Sequence, residues 1–304
     1  MRVAVIDLGS NSIRLLVKDL WASSMATVHK ELATTRLGRG VVRSSELDRQ
    51  SMADTLSVIA EFISRANSMG TERILAFGTS ALREAKNSSG FIKKVNELGL
   101  DVDILSGEEE ALLNFKGARA GLGLSETTLA IDIGGGSTEL ILGKERIQKS
   151  ASLPVGAVRF TELYFNSEPP NPKDVKAAGD EIFRRCLDFA RFYNRTKSGH
   201  AIVAVGVGGT LTTLAAMDQE LVIYDPEKIH GYALKKLSID DIYTKLLTLT
   251  LDEKRKLPGL MPQRADIITA GTFIAKTIME HLEISEIIIS ETDIMEGYLL
   301  YKLA

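Results

Sequence analysis

Apolar runs of four or five residues that close on an aspartate, pass through a glycine-rich turn and resume as a second apolar run occur twice in the chain. Val5 to Val17 (VIDLGSNSIRLLV) and Ala130 to Leu142 (AIDIGGGSTELIL) align without a gap, setting Asp7 on Asp132. Each copy predicts a strand, a tight turn and a returning strand. One hairpin per half implies a duplicated architecture. A third strand candidate follows each copy, at Thr27 to Leu37 and Arg146 to Leu153. Helical and strand patterns then alternate, which predicts a mixed sheet with helices packed on it in each half.

The first long helix is expected from Ser45 to Ser68. Ser45 with Asp48 resembles a capping box, Met52, Leu56, Ile59, Ile63 and Ala66 keep one face, and Gly70 is the stop. Arg73 to Phe77 reads as a strand, Thr79 to Lys86 as a helix, Val102 to Leu105 as a strand and Glu108 to Arg119 as a helix. Gly121 to Glu126 reads as a hinge, so the expected domains are 1–122 and 123–304, with a C-terminal helix about 292–304 packing back on the first. In the second half, Pro169, Pro170 and Pro172 separate helices at Ala157 to Phe165 and Lys173 to Arg195. Strands at Ala201 to Val205 and Glu286 to Ile289 bracket further helices, including one from Arg264 to Leu282.

Composition narrows the class. With 304 residues the chain favours two domains, and 44% hydrophobic with 25% charged residues is globular. A net charge of −3 offers nucleic acid and acidic membranes no general attraction, so an anionic ligand needs a local site. Cys186 is the single cysteine, which excludes an internal disulfide and reads as a core residue. Only four apolar residues precede Asp7, too few for a signal peptide, and the uncharged run His200 to Met217 is broken by Gly206, Gly208 and Gly209. Both facts favour the cytoplasm and argue against a membrane span.

An aspartate at the end of a strand followed by GSNS or GGGS has a chemical use. Glycine permits backbone amides to turn toward a phosphate, and carboxylate oxygens suit a magnesium ion that keeps much of its water. A single such turn is usually an ordinary hairpin; the pair in register points to anion binding. Gly208, Gly209 and Thr210, in a third glycine turn before a helix, are further phosphate candidates, with close packing the alternative. Glu108, Glu109 and Glu110 open a helix, where acidic side chains are favoured anyway. Three adjacent residues point in different directions, so one of them can still orient and deprotonate a water.

Eight segments in order, IDLGSNSIRLL, GTSALREAKN, ILSGEEEA, LAIDIGGGSTEL, LPVGAVRFTELYF, GVGGTLTTLAAM, IHGY and RADIITAG, resemble the exopolyphosphatase and guanosine pentaphosphate phosphatase family. The resemblance spans nearly the whole chain. It implies an α/β, actin-like fold of duplicated ribonuclease H-like domains with an active site in the interdomain cleft. It also implies Glu110 as catalytic base with Glu109 as fallback, and Asp132, Glu139 and Asp7 around a magnesium or manganese ion. Ser10, Asn11, Ser12, Gly134, Gly135, Gly136 and Ser137 would form phosphate loops, and Arg83 would contact phosphate. Arg264 is a weaker basic candidate, and His230 reads as structural. Met295 stands where the family pattern has arginine, and the extra C-terminal helical domain of longer members has no counterpart in this sequence.

The function implied is magnesium-dependent release of the terminal phosphate of inorganic polyphosphate, with guanosine pentaphosphate as the other substrate and a homodimer among the allowed assemblies. Two readings from other classes stand beside it: a kinase of the same superfamily, and a non-enzymatic sensor of a phosphorylated signal.

Overall fold

The computed structural model describes residues 1–21, 25–197, 199 and 201–303. His200 and Ala304, the ends of two segments singled out above, lie outside the described residues. The chain divides into two compact units, Met1–Gly107 with Tyr301–Ala304, and Glu108–Leu300.

The first unit holds β1 (Arg2–Leu8), β2 (Ser12–Leu20), β3 (Met25–Thr34), α1 (Val41–Ser44), α2 (Arg49–Ser68), β4 (Arg73–Gly78), α3 (Ser80–Glu84), α4 (Ser88–Glu97) and β5 (Asp103–Ile104). The chain then enters α5 (Gly107–Leu122). The second unit continues with β6 (Thr127–Ile133), β7 (Thr138–Gly143), β8 (Ile147–Leu153), α6 (Ala157–Tyr164), α7 (Pro172–Lys197), β9 (Ile202–Val207) and α8 (Gly208–Asp218). It closes with α9 (Pro226–Ile229), β10 (Ala233–Lys235), α10 (Lys236–Thr248), α11 (Leu251–Lys254), α12 (Ile268–His281), β11 (Glu286–Ile289) and α13 (Ile294–Leu303), the last of which passes into the first unit at Tyr301.

The sheet orders are β3-β2-β1-β4-β5 and β10-β11-β9-β6-β7-β8. Reversed and without β10, the second repeats the first: β1 and β6 each pair antiparallel with the strand that follows and parallel with β4 or β9. Each unit is therefore the mixed α/β sheet of a ribonuclease H-like, actin-type domain. The central strands are buried along almost their whole length, as strands covered on both faces must be.

Several boundaries differ from the sequence reading. Ser45 follows α1 in a left-handed conformation, and Asp48 is the true cap of α2, accepting from the Ser51 amide at 2.9 Å. The buried stripe of α2 is Ser51, Thr55, Ile59, Phe62 and Ala66, rotated from the expected face, with the polar Ser51 and Thr55 turned inward. Gly70 does stop the helix, with φ +72°. The segment read as a hinge instead ends α5. There Arg119 donates to the carbonyls of Leu124 and Glu126. No helix among the described residues is long and apolar enough to cross a membrane. Cys186 sits in the core of the second unit on α7, where burial pushes its thiol up to about 12, so it is chemically quiet.

Within the second unit, α5 and the first turns of α13 meet backbone to backbone. A Cβ on Gly117 would overlap the Asp293 carbonyl, and one on Gly297 the Leu113 carbonyl. Asp293 caps α13 by accepting from the Met295 amide, while Glu296 accepts from the Asp293 amide, and Met295 is fully buried. Alanine favours a helix over glycine by about 1 kcal/mol. Gly117→Ala should nonetheless cost about 1–3 kcal/mol through overpacking. The check is the urea unfolding midpoint: a higher midpoint in the variant would show that helix propensity outweighs clearance.

Candidate functional site

Asp132 and Glu139 are direct partners across β6 and β7, so their side chains share one face of the sheet. Glu110 and Asn114 stand one turn apart on α5 and are both buried, whereas Glu108 and Glu109 are exposed. Helix geometry thus selects one member of the acidic triplet. Glu139, only 1% exposed, feels the charges of both Glu110 and Asp132. Burial first, then those two charges, hold its carboxyl well above the usual carboxylate range, and hydrogen bonds from Ser152 and Ser137 draw it only part of the way back. Ser152 Oγ donates to Glu139 Oε1 at 2.8 Å.

The turn between β6 and β7 is fixed from behind by α6. The amides of Ala157 and Val158 donate to the carbonyls of Gly134 and Gly135, both at 2.9 Å, Arg159 N also reaches Gly135, and Arg159 Nε donates to the Gly136 carbonyl at 2.9 Å. In a trans peptide the N–H points opposite the C=O. Carbonyls drawn toward α6 therefore turn the amides of Gly135, Gly136 and Ser137 the other way, which makes a concave set of donors for an anion. Gly156 permits this approach, since a Cβ there would overlap the Gly135 carbonyl.

The head of α8 completes the group. Gly208 has φ +81° and lies so close to the Asp132 carboxylate that a Cβ would overlap Oδ1. Gly209 is covered by the Arg264 guanidinium in the same way, and Thr210 is buried beside them. Asn114 Nδ2 donates to Asp132 Oδ2 at 2.6 Å. His230 bridges backbone, its Nδ1 accepting from the Glu291 amide and its Nε2 hydrogen bonded to the Gly121 carbonyl, each at 3.2 Å.

The equivalent turn of the first unit has a different charge. Asp7 faces Arg14 across β1 and β2, at the positions that match Asp132 and Glu139. Arg14 Nε and Nη2 both donate to Asp7 Oδ2, at 2.8 and 2.6 Å. The Ser10 and Asn11 carbonyls accept from the amides of Gly38 and Arg36, which turns the amides of Asn11 and Ser12 away from those bonds. Ser10 Oγ lies 2.9 Å from Ser80 Oγ on α3, Asn11 Nδ2 donates to Ser12 Oγ at 3.1 Å, and Arg83 Nη1 donates to the Leu105 carbonyl at 2.7 Å.

The sequence-selected residues thus form two groups. Glu110, Asp132, Glu139, Gly134, Gly135, Gly136, Ser137, Gly208, Gly209 and Thr210 belong to the second unit; Asp7, Ser10, Asn11, Ser12 and Arg83 belong to the first. Sequence reading passed over Arg14, which the gapless alignment sets on Glu139, and Asn114, one helical turn after Glu110. Among the described residues no group of three or more His, Cys, Asp or Glu side chains is arranged to hold an ion alone. Magnesium asks for less, since one or two carboxylates suffice when water and substrate phosphate fill the remaining positions. The Asp132–Glu139 pair, beside a third buried acid, fits that ion and gains from its charge.

The sequence profile described as the Ppx/GppA phosphatase family matches residues 16–304. The chain is similar to exopolyphosphatase 2 of Mycobacterium tuberculosis, 31% identical over 322 residues that span 98% of each chain. It is also similar to a guanosine-5'-triphosphate,3'-diphosphate pyrophosphatase of Vibrio vulnificus, 32% identical over 99% of this chain and 59% of that one. Among solved structures, the Ppx/GppA family member of Aquifex aeolicus superposes with a TM-score of 0.81 at 30% identity, covering 100% of this chain and 97% of the other.

Because the folded state favours protonated Glu139, this group's contribution to stability is fully present below its ordinary value of 4.5 and is lost as pH rises through the raised folded value. In chelator, the melting temperature of the wild type should therefore fall more between about pH 4.5 and pH 8 than that of Glu139→Gln. Melting curves across that range are the check, and parallel curves for the two proteins would show that Glu139 ionises without penalty.

Proposed function

Because the chain belongs to the Ppx/GppA phosphatase family, we propose that it hydrolyses the terminal phosphoric anhydride of inorganic polyphosphate, with Glu110 as general base. The observation that carries the assignment is the burial of Glu110 on α5, next to two further acids and the amide-lined turn of β6 and β7.

Glu110 takes a proton from water as the water oxygen attacks the terminal phosphorus and the bridging P–O bond breaks toward the shortened chain. The outward amides of Gly135, Gly136 and Ser137, with Gly208, Gly209 and Thr210 at the head of α8, hold phosphate oxygens. Asp132 and Glu139 would hold magnesium, or manganese in its place, which would supply positive charge beside the phosphates. Arg14 already offsets the charge of Asp7, so this reading rests the cation on the second unit's acids. Ser10, Asn11, Ser12 and Arg83 are read as contacts to phosphate oxygens of the substrate. A cytoplasmic location belongs to the same reading.

Guanosine pentaphosphate is the second reading, favoured by the Vibrio vulnificus relative. Polyphosphate is preferred because the exopolyphosphatase relative matches this chain end to end, and no residue group of the second unit is assigned to a guanine ring.

Purified protein with magnesium should release phosphate from polyphosphate of defined length faster than from guanosine pentaphosphate or ATP. Glu110→Gln should lower that turnover about 10²–10⁴-fold while retaining substrate binding, and Glu109→Gln should leave it nearly unchanged. Normal turnover in Glu110→Gln would remove the proposed base. Release from guanosine pentaphosphate alone would move the substrate, and ATP use only with an acceptor would make the protein a kinase.

A further inference from the structure

Asp132 is the acid on which the magnesium reading rests most heavily, and the structure fixes both of its oxygens. Oδ1 lies where a Cβ on Gly208 would stand, at the head of α8, and the φ of +81° there favours glycine. Oδ2 accepts from Asn114 Nδ2 on α5 at 2.6 Å. A carboxylate otherwise rotates freely about its last bond; this one is held between two helices.

Asn114 is 1% exposed, and among the described residues no group donates to its Oδ1. An asparagine buried for the stability of a helix usually has both ends of its amide satisfied. Here the hydrogen bond found for the side chain is the one to Asp132. The direction of the amide follows from chemistry, because a carboxylate oxygen accepts and only Nδ2 can donate. Its place one turn after Glu110 also puts the proposed base and the hydrogen-bond partner of Asp132 on a single rigid helix.

Resting on the magnesium-dependent reading above, we propose that Asn114 is a positioning residue for the divalent-cation site, fixing the orientation in which the Asp132 carboxylate meets the ion. Removing such an outer partner of a ligating carboxylate lowers metal affinity about 10–100-fold. A leucine is close to asparagine in size and removes the donor. A serine is too short to reach Asp132 from the same backbone position but remains polar.

The test is calorimetric titration of the full chain with magnesium, and with manganese as second probe, without substrate. Wild type, Asn114→Leu, Asn114→Ser and the α7 core variant Phe189→Leu are compared, with melting in chelator to show that each is folded. Asn114→Leu and Asn114→Ser should bind both ions about 10–100-fold more weakly than wild type. Phe189→Leu should bind as wild type does even where its melting temperature falls further. Activity of the Asn114 variants should return as magnesium is raised. Wild-type affinity in either folded Asn114 variant, or an equal loss in Phe189→Leu, overturns the proposal and leaves the proposed function standing. A wild-type chain that binds neither ion overturns both.

Discussion

Two carboxylates set face to face across neighbouring strands repel, and the repulsion grows as water is withdrawn. Asp132 and Glu139 hold that relation in the second unit, with Glu110 brought toward them by α5. The sheet, the helix and the glycine turn all contribute to it: pairing register selects the opposing positions, and helix phase selects Glu110 over its exposed neighbours. A fold that gathers anions at this expense is suited to a ligand that brings cations. Burial first, and then the charges of Glu110 and Asp132, raise the Glu139 carboxyl above its ordinary range.

The duplicated hairpin gives an internal control for this idea. Both copies place an aspartate at the end of the first strand, and both tie the carbonyls of the following turn to backbone amides elsewhere in their own unit. They part at the opposing residue, which is Arg14 in one and Glu139 in the other. One copy thereby sets an opposite charge against its aspartate, and the other sets a second acid there, whose carboxyl is held toward its neutral form. A duplication has been kept as a scaffold while one pair of side chains has been turned to a different electrostatic purpose.

Most of this was legible in the sequence because it is carried by local patterns. The apolar runs around Asp7 and Asp132 and the glycines after Asp132 fix strands and turn through short-range geometry, and β11 spans the residues expected for it. The start of α2 was misplaced because Ser45 and Asp48 are both good caps, and only tertiary context decides between them. The helix α4 and the small elements α9, β10 and α11 escaped because their apolar positions are few or interrupted. Asn114 escaped for another reason: its meaning depends on Asp132, distant in sequence and joined to it only by the packing of α5 against the sheet.

The way α6 holds the β6–β7 turn bears on how tightly an anion can be gripped. Ala157, Val158 and Arg159 have already spent their leading amides on the carbonyls of Gly134 and Gly135, so the turn has its shape before any guest arrives. A loose glycine-rich segment would have to surrender its conformational freedom on capture, weakening the complex by that amount. On the proposed reading the turn comes preorganised: the loss is met during folding, and the guest's own interactions are left to appear as affinity.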